Sequence, residues 1–283
     1  MTERLAETTR RIGNVHQLGT VVTAMRGISV SRVQQAHGLL RGVRAHAEVI
    51  ARAIGQALSL VPGNHNPAVT HSSRNGTIVF TAEQGFAGAF SDRMLEAVGQ
   101  GGGAGQRDVF LIGTRGYALA HERGLQPWWH AAMVPHANLV PGLASRAADA
   151  LYAWLAEQSG HRVDVIVPTW SASTGVVAER RSLLPFDFHR FAVTPSGQAP
   201  LTTLPPPVLL SRLAEEYIFA ELCEAALTAF AAENEARVAT MLSAKGSLDN
   251  MLSDLQALER QIRQEEITAE VVELAGSAGG SVR

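Results

Sequence analysis

Between about Glu3 and Leu60 the chain has no proline, and apolar or small residues recur at Val33, Ala36, Leu40, Val43, Ala47, Ile50, Ile54 and Ala57. The steps alternate between three and four, which is the spacing of a heptad seam. The stretch predicts one long helix, closed by the VPGNHNP run at residues 61–67. Carried toward the N-terminus, this register meets Ser29 and Arg26, whereas Val15, Leu18, Val22 and Met25 keep a neighbouring one. The expected seam therefore shifts by one position near residue 29.

The C-terminal region repeats the pattern. After the LPPPV run at residues 204–208 no proline follows, and Val238, Met241, Leu248, Leu252, Leu255 and Ile262 fall at three-and-four spacing, with Lys245 and Glu259 at seam positions. An unbroken helix from Leu209 to Ala275 would extend roughly 100 Å at about 1.5 Å per residue. A globular helix averages about 11–12 residues. So long a seam needs a partner helix, and the N-terminal one is available, so the two chain ends are expected to form an antiparallel coiled coil.

The middle of the chain changes period. TIVF (77–80), DVFLIG (108–113) and VDVIVPTW (163–170) are short runs rich in Val and Ile, and the helical pattern SRAADALYAWLAEQ (145–158) lies between two of them. Such alternation reads as an α/β unit with a mainly parallel sheet. ERRSLLPFDF (179–188) adds a candidate strand, placed at an edge by Pro185. The expected organisation is a coiled-coil helix over 1–60, a Rossmann-like α/β domain over 75–195 and a second coiled-coil helix over 208–278.

Composition removes several functions. The 283 residues are 46% hydrophobic and 18% charged, and the formal net charge of −2 gives no basic excess for nucleic acid. Cys223 is the single cysteine, which excludes an internal disulfide and a cysteine-rich metal site. The opening MTERLAETTRRIG lacks the apolar core of a signal peptide, and no stretch approaches the roughly 20 apolar residues of a membrane span.

The segment TIVFTAEQGFAGAFSDRM (77–94) runs from a strand through Gly85 and Gly88 toward a helix, as a phosphate cradle would. It contains neither GxxxxGK[ST] nor GxGxxG, and Asp108 is poorly spaced for the acidic residue of a dinucleotide site. A tight turn that lets strand and helix pack closely is the better reading. His121 and Glu122 lack the second histidine of HExxH, no serine sits in GxSxG, and the ten histidines are scattered. Trp128 and Trp129 suit a core or an interface. No catalytic, cofactor-binding or metal-binding residue is expected.

The two ends resemble the γ subunit of F-type ATP synthases, the central rotor shaft. RIGNVHQLGTVVTAMRGISVSRVQQAH is similar to that family's opening, from Arg11 and Ile12 to Ala24 and Met25. ENEARVATMLSAKGSLDNMLSDLQALERQIRQEEITAEVVEL is closer still, keeping Glu233, Asn234, Ala236, Arg237, Met241, Ala244, Asn250, Arg263, Gln264, Ile267, Thr268 and Glu270. In the central loop Glu83, Gln84, Gly85, Phe86, Ala87, Gly88 and Ala89 stand where the family has an acidic-basic-Gly-Leu-Cys-Gly-Gly stretch. Departures are His16 and Leu18 where the family carries lysines, Gln84 and Ala87 in the loop, and Glu259 and Arg260 for a tyrosine and an asparagine. They point to a divergent member, such as the alternative or sodium-translocating types.

The resemblance implies a non-catalytic subunit on the cytoplasmic face of the bacterial inner membrane, coupling ion flow to ATP synthesis or hydrolysis on other subunits. Its expected partners are the α and β head subunits, an ε subunit and the membrane c-ring, with no nucleotide bound by the chain itself. It assigns Arg263, Gln264, Thr268, Glu270 and Met25 to a catch on the catalytic head, and Glu83, Gln84, Gly85 and Gly88 to a collar loop. A coiled-coil scaffold without ATPase partners is the alternative.

Overall fold

The computed structural model describes residues 3–61, 74–100, 106–157, 162–191 and 201–279. Beyond Val61 the VPGNHNP run lies outside the described residues, so its expected role in ending the first helix does too. Helix α1 spans Glu3–Leu58 and helix α5 spans Pro206–Gly279. α5 starts before the expected Leu209. Pro206 and Pro207 occupy its first turn, where N–H groups have no intrahelical acceptor, and Leu209 N already donates to Pro205 O at 3.0 Å.

Residues 1–29 with 238–283 make one compact unit and residues 30–237 another. In the first unit α1 and α5 run antiparallel: the Thr9 hydroxyl donates to Glu259 at 3.1 Å, and Gly19 faces the Lys245 ammonium. On α5 the covered positions are Val238, Met241, Lys245, Leu248, Leu252, Leu255, Glu259 and Ile262, the expected register with its two charged members included.

On α1 the expected shift near residue 29 does not occur. Leu5, Thr8, Ile12, Val15, Gly19, Val22, Arg26 and Ser29 are buried or half-buried, in one unbroken alternation of three and four that continues at Val33. Leu18 is 55% exposed while Ser29 is 2% exposed. Hydropathy favours Leu18, but a helix buries the face its partner covers. Gly19 leaves room for the lysine opposite, and Ser29 is tolerated because its hydroxyl donates to Met25 O at 2.9 Å.

In the second unit five strands form one sheet in the order β3-β2-β1-β4-β5. They are β1 Arg74–Phe80, β2 Gln106–Ile112, β3 Trp129–Ala131, β4 Arg162–Ser171 and β5 Gly175–Leu184. The first four run parallel and β5 pairs antiparallel to β4 at the edge. β5 begins earlier than expected and stops before Pro185, which cannot donate to a ladder. Three-residue β3 was not foreseen, since WHA carries no strand periodicity.

Helices α2 (Phe90–Gly99) and α3 (Thr114–Glu122) follow β1 and β2, and α4 (Val140–Ala156) precedes β4. Strand residues alternate between two cores. Ile78, Phe80, Phe110, Ile112, Val163 and Val165 pack with α4 and with Ile218, Leu222 and Phe230 of α5. Val79, Val109, Leu111 and Ile166 pack with α2. Right-handed crossovers demand this split, because the connection to β4 travels back across the sheet opposite to those of β2 and β3. Within this unit α1 again opposes α5, through Arg44 to Glu224 at 3.0 Å and through the His37–Glu235 and His46–Glu216 pairs.

Candidate functional site at the loop after the first strand

Residues 81–89 leave β1 at the carboxyl edge of the sheet, beside the point between β1 and β4 where the chain reverses direction across the sheet. Parallel α/β sheets commonly bind ligands at such a point. Here the space is used internally. Ala232 and Ala236 of α5 join the buried cluster containing Val79, Ala82, Ala87 and Ile166.

Glu83 fills the anion position of the site with its own side chain. Its carboxylate accepts from Thr114 N at 2.9 Å, from the Thr114 hydroxyl at 2.8 Å and from Met133 N at 2.8 Å. Thr114 opens α3, so the carboxylate sits where a helix N-terminus would hold a phosphate.

The close approach of strand and helix expected from Gly85 and Gly88 belongs to other glycines. A Cβ on Gly116 would lie 2.0 Å from the Thr81 hydroxyl oxygen, and one on Gly113, with φ of +120°, 2.3 Å from Thr81 O. Gly85 faces open space. Gly88 has φ of +59°, a turn conformation that costs glycine little.

The loop is also tied to α5. Gln84 N donates to Glu233 Oε1 at 3.2 Å, and Arg237 Nε donates to Gly85 O at 3.1 Å. Arg237 pairs with Glu233 one turn away and donates to Asn234 Oδ1 at 2.9 Å, while Asn234 Nδ2 donates to Phe230 O at 2.8 Å. All three side chains are buried. A buried pair with its remaining donors satisfied is tolerated, whereas removing one partner typically costs about 3–5 kcal/mol. Directly after these clamped groups, Phe86 adopts φ of +64° and is 62% exposed. That left-handed conformation costs a non-glycine residue about 1–2 kcal/mol.

The four expected loop residues thus come together, but Glu83 points inward as a brace. Glu233 and Arg237, matched by motif without a role, are its main anchors. The signal was present: Glu233 and Arg237, four apart in the run AFAAENEARVA (229–239), can both be buried only as a pair.

The expected catch residues lie in the other unit. Arg263 is exposed and donates to Glu259 at 3.1 Å; Gln264 and Glu270 are exposed; the Thr268 hydroxyl donates to Gln264 O at 2.8 Å; Met25 is half-buried. Among the described residues no group of His, Cys, Asp and Glu is arranged to hold a metal ion. Burial, with the charge of Glu216 nearby, pushes the Cys223 thiol up to about 11. Burial and the neighbouring Glu221 push the Tyr217 phenol up to about 12.

A family model described as ATP synthase matches residues 4–280. The ATP synthase gamma chain of Frankia casuarinae is 26% identical, covering 98% of both chains, and that of a Nocardioides species is 24% identical over 98% of this chain and 96% of the relative. In the Euglena gracilis mitochondrial ATP synthase in rotational state 3, one chain aligns with a TM-score of 0.61 at 12% identity, covering 99% of this chain and 97% of that one. A chain in the central stalk and c-ring structure of the Tetrahymena thermophila enzyme aligns with a TM-score of 0.56 at 14% identity, over 79% of this chain and 99% of that one. With the family model matched over nearly its whole length, the chain belongs to the ATP synthase family and is similar throughout to that family's gamma chains.

Proposed function

We propose that the chain is the rotating central shaft of an F-type ATP synthase and carries no catalytic residue of its own. The observation that bears most weight is the end of α5. Its seam stops at Ile262 and Glu266, yet the helix continues, with Ile267, Val271, Val272 and Leu274 each more than half exposed. A helix ending in an uncovered apolar surface calls for an enclosing partner. The catalytic head is the natural sleeve: the head encloses the tip, Arg263 and Gln264 hydrogen-bond to a loop of a catalytic subunit, and Met25, Thr268 and Glu270 support that contact.

The α/β unit then docks on the ε subunit and the c-ring, with residues 83–88 near the collar beneath the head. Among the described residues no helix is long and apolar enough to cross a membrane, and the reading makes the chain peripheral, on the cytoplasmic face. Turning the shaft changes the nucleotide affinities of sites on other subunits, which is a coupling free energy between rotor angle and binding. Glu83 occupying the start of α3 supports the view that the chain binds no nucleotide itself.

The test is to tag the chain in its native host, purify it in mild detergent and assay ATP hydrolysis. Recovery with two larger nucleotide-binding subunits in excess is the expected result. A homo-oligomer without ATPase partners would favour the scaffold alternative.

A further inference from the structure

We infer that Glu224, with Glu221 beside it, is the joint that fastens the edge of the sheet and helix α1 to α5, so that torque applied to the sheet enters the two helices without slip. The inference rests on the shaft reading above. It goes beyond it by assigning the fastening to named carboxylates outside both the expected catch and the collar loop.

Three arginines from three elements converge on these two residues, which lie one turn apart on α5. Glu224 Oε1 accepts from Arg44 Nε of α1 at 3.0 Å and lies 4.0 Å from Arg181 Nη1 of β5. Glu221 Oε1 accepts at 3.4 Å from Arg190 Nη2, in the helical turn Phe188–Arg190 that follows β5. The Arg190 guanidinium also lies 5.9 Å from the centre of the Tyr217 ring, one turn earlier on α5. Arg181 donates to Glu179 twice, at 3.0 and 3.2 Å, so its fork is already oriented where it meets Glu224. That hydrogen bonding, and then the charges of Glu179, Glu224 and Glu221, hold the Arg181 guanidinium above its ordinary pKa.

Burial separates these carboxylates from ordinary surface charges. The side chains of Glu221 and Glu224 are each 17% exposed, whereas Glu215, which pairs with Arg212 on α5 itself, is 43% exposed. Isolated surface pairs contribute little, but partly buried charges meeting in a network are screened much less by water and salt. The apolar cluster that includes Leu183, Ile218, Leu222 and Cys223 holds the same elements together, yet hydrophobic attraction has no direction. Charge-assisted hydrogen bonds have one, and those at Glu224 and Glu221 set the angle between the sheet edge and the helices. β5 needs such a tie because it is an edge strand. Glu221 and Glu224 are positioning residues and touch no nucleotide.

The test uses the intact complex in native membrane vesicles and compares ATP hydrolysis with the membrane potential it builds, read by a potential-sensitive dye. The variants are Glu224→Gln, Glu221→Gln, Arg44→Gln, Arg44→Lys, which keeps the charge, and the Arg44→Gln, Glu224→Gln double variant. Glu215→Gln is the control. With subunit composition unchanged, Glu224→Gln should lower the potential built per ATP hydrolysed threefold or more while hydrolysis itself stays near wild type. Glu221→Gln and Arg44→Gln should act in the same direction, Arg44→Lys should recover most of the Arg44→Gln loss, and the double variant should be no worse than Glu224→Gln alone. Glu215→Gln should behave as wild type.

An assembled Glu224→Gln complex with a wild-type ratio overturns the joint. So do parallel losses of potential and hydrolysis, which a merely structural role would give, and a double variant whose defects multiply. If Glu224→Gln fails to assemble, the contrast between Arg44→Gln and Arg44→Lys decides alone, and equal ratios overturn the joint. A wild-type preparation without ATPase partners sinks the shaft reading and the joint with it, whereas a pumping wild type indifferent to residue 224 sinks only the joint.

Discussion

The carboxylate of Glu259 accepts a hydrogen bond from the guanidinium of Arg263 one turn further along α5, at 3.1 Å. Glu259 stands where the resembled family carries a tyrosine, so the departure from the pattern engages the first residue of the expected catch. The pair is solvent-exposed on the arginine side and contributes little stability, about 0.3–0.5 kcal/mol for such a helix pair.

Replacing Glu259 with Gln should therefore shift the unfolding midpoint by less than about 2 °C. Arg263→Ala and Gln264→Ala should each lower ATP hydrolysis by the complex roughly tenfold, the equivalent of about 1.4 kcal/mol. Wild-type hydrolysis in the double alanine variant would remove these residues from the contact.

The register of α1 is open to a direct contrast. Val15 is buried and Leu18 exposed, although Leu is the more hydrophobic. Val15→Ala should cost about 1–2 kcal/mol and Leu18→Ala less than about 0.5 kcal/mol by urea unfolding of the complex-free chain. The reverse order would restore the shifted seam.

Gly116→Ala should destabilise severely, by about 3 kcal/mol or more, because the added carbon meets Thr81 at 2.0 Å in a fully packed interior. Gly85→Ala, facing open space, should be near neutral. Thermal melts of the two variants read the difference directly.

Alkaline pH should weaken the fold. The Cys223 thiol is raised to about 11 from an ordinary value of 9.0, and the Tyr217 phenol to about 12 from 10.0. The unfolded chain therefore loses these protons first, and unfolding stability falls as pH rises from about 9 through 12. Cys223→Ser should flatten the lower part of that decline. Below pH 9 the native thiol should resist alkylation until denaturant is added, since the reactive thiolate is scarce and the sulfur is buried.

Much of the architecture was legible because it depends on periodicity. Three-and-four spacing announced both long helices, and the Val- and Ile-rich runs announced β1, β2 and β4, since a side chain's face follows from its position in a repeat. β3 escaped notice because WHA is too short to display any period; it exists because β2 offers an unpaired edge.

The site was less legible. Gly85 and Gly88 are the glycines that follow a strand in the sequence, yet the packing need is at Gly113, just after β2, and at Gly116, in the first turn of α3. Glu83 reads as a surface charge until Thr114 and Met133, 31 and 50 residues away, bring their N–H groups to it.

By itself the sequence determined that the chain has two long helices with three-and-four spacing and that an alternating α/β segment lies between them, because these are local consequences of spacing and backbone preference. Only the tertiary structure decided which stripe of α1 is covered, so that Ser29 is buried and Leu18 is not, and that Glu233 and Arg237 turn inward to grip a loop nearly 150 residues earlier. The physical reason is that burial of a weakly hydrophobic or charged residue is set by what its partner surface supplies, and that partner is distant along the chain.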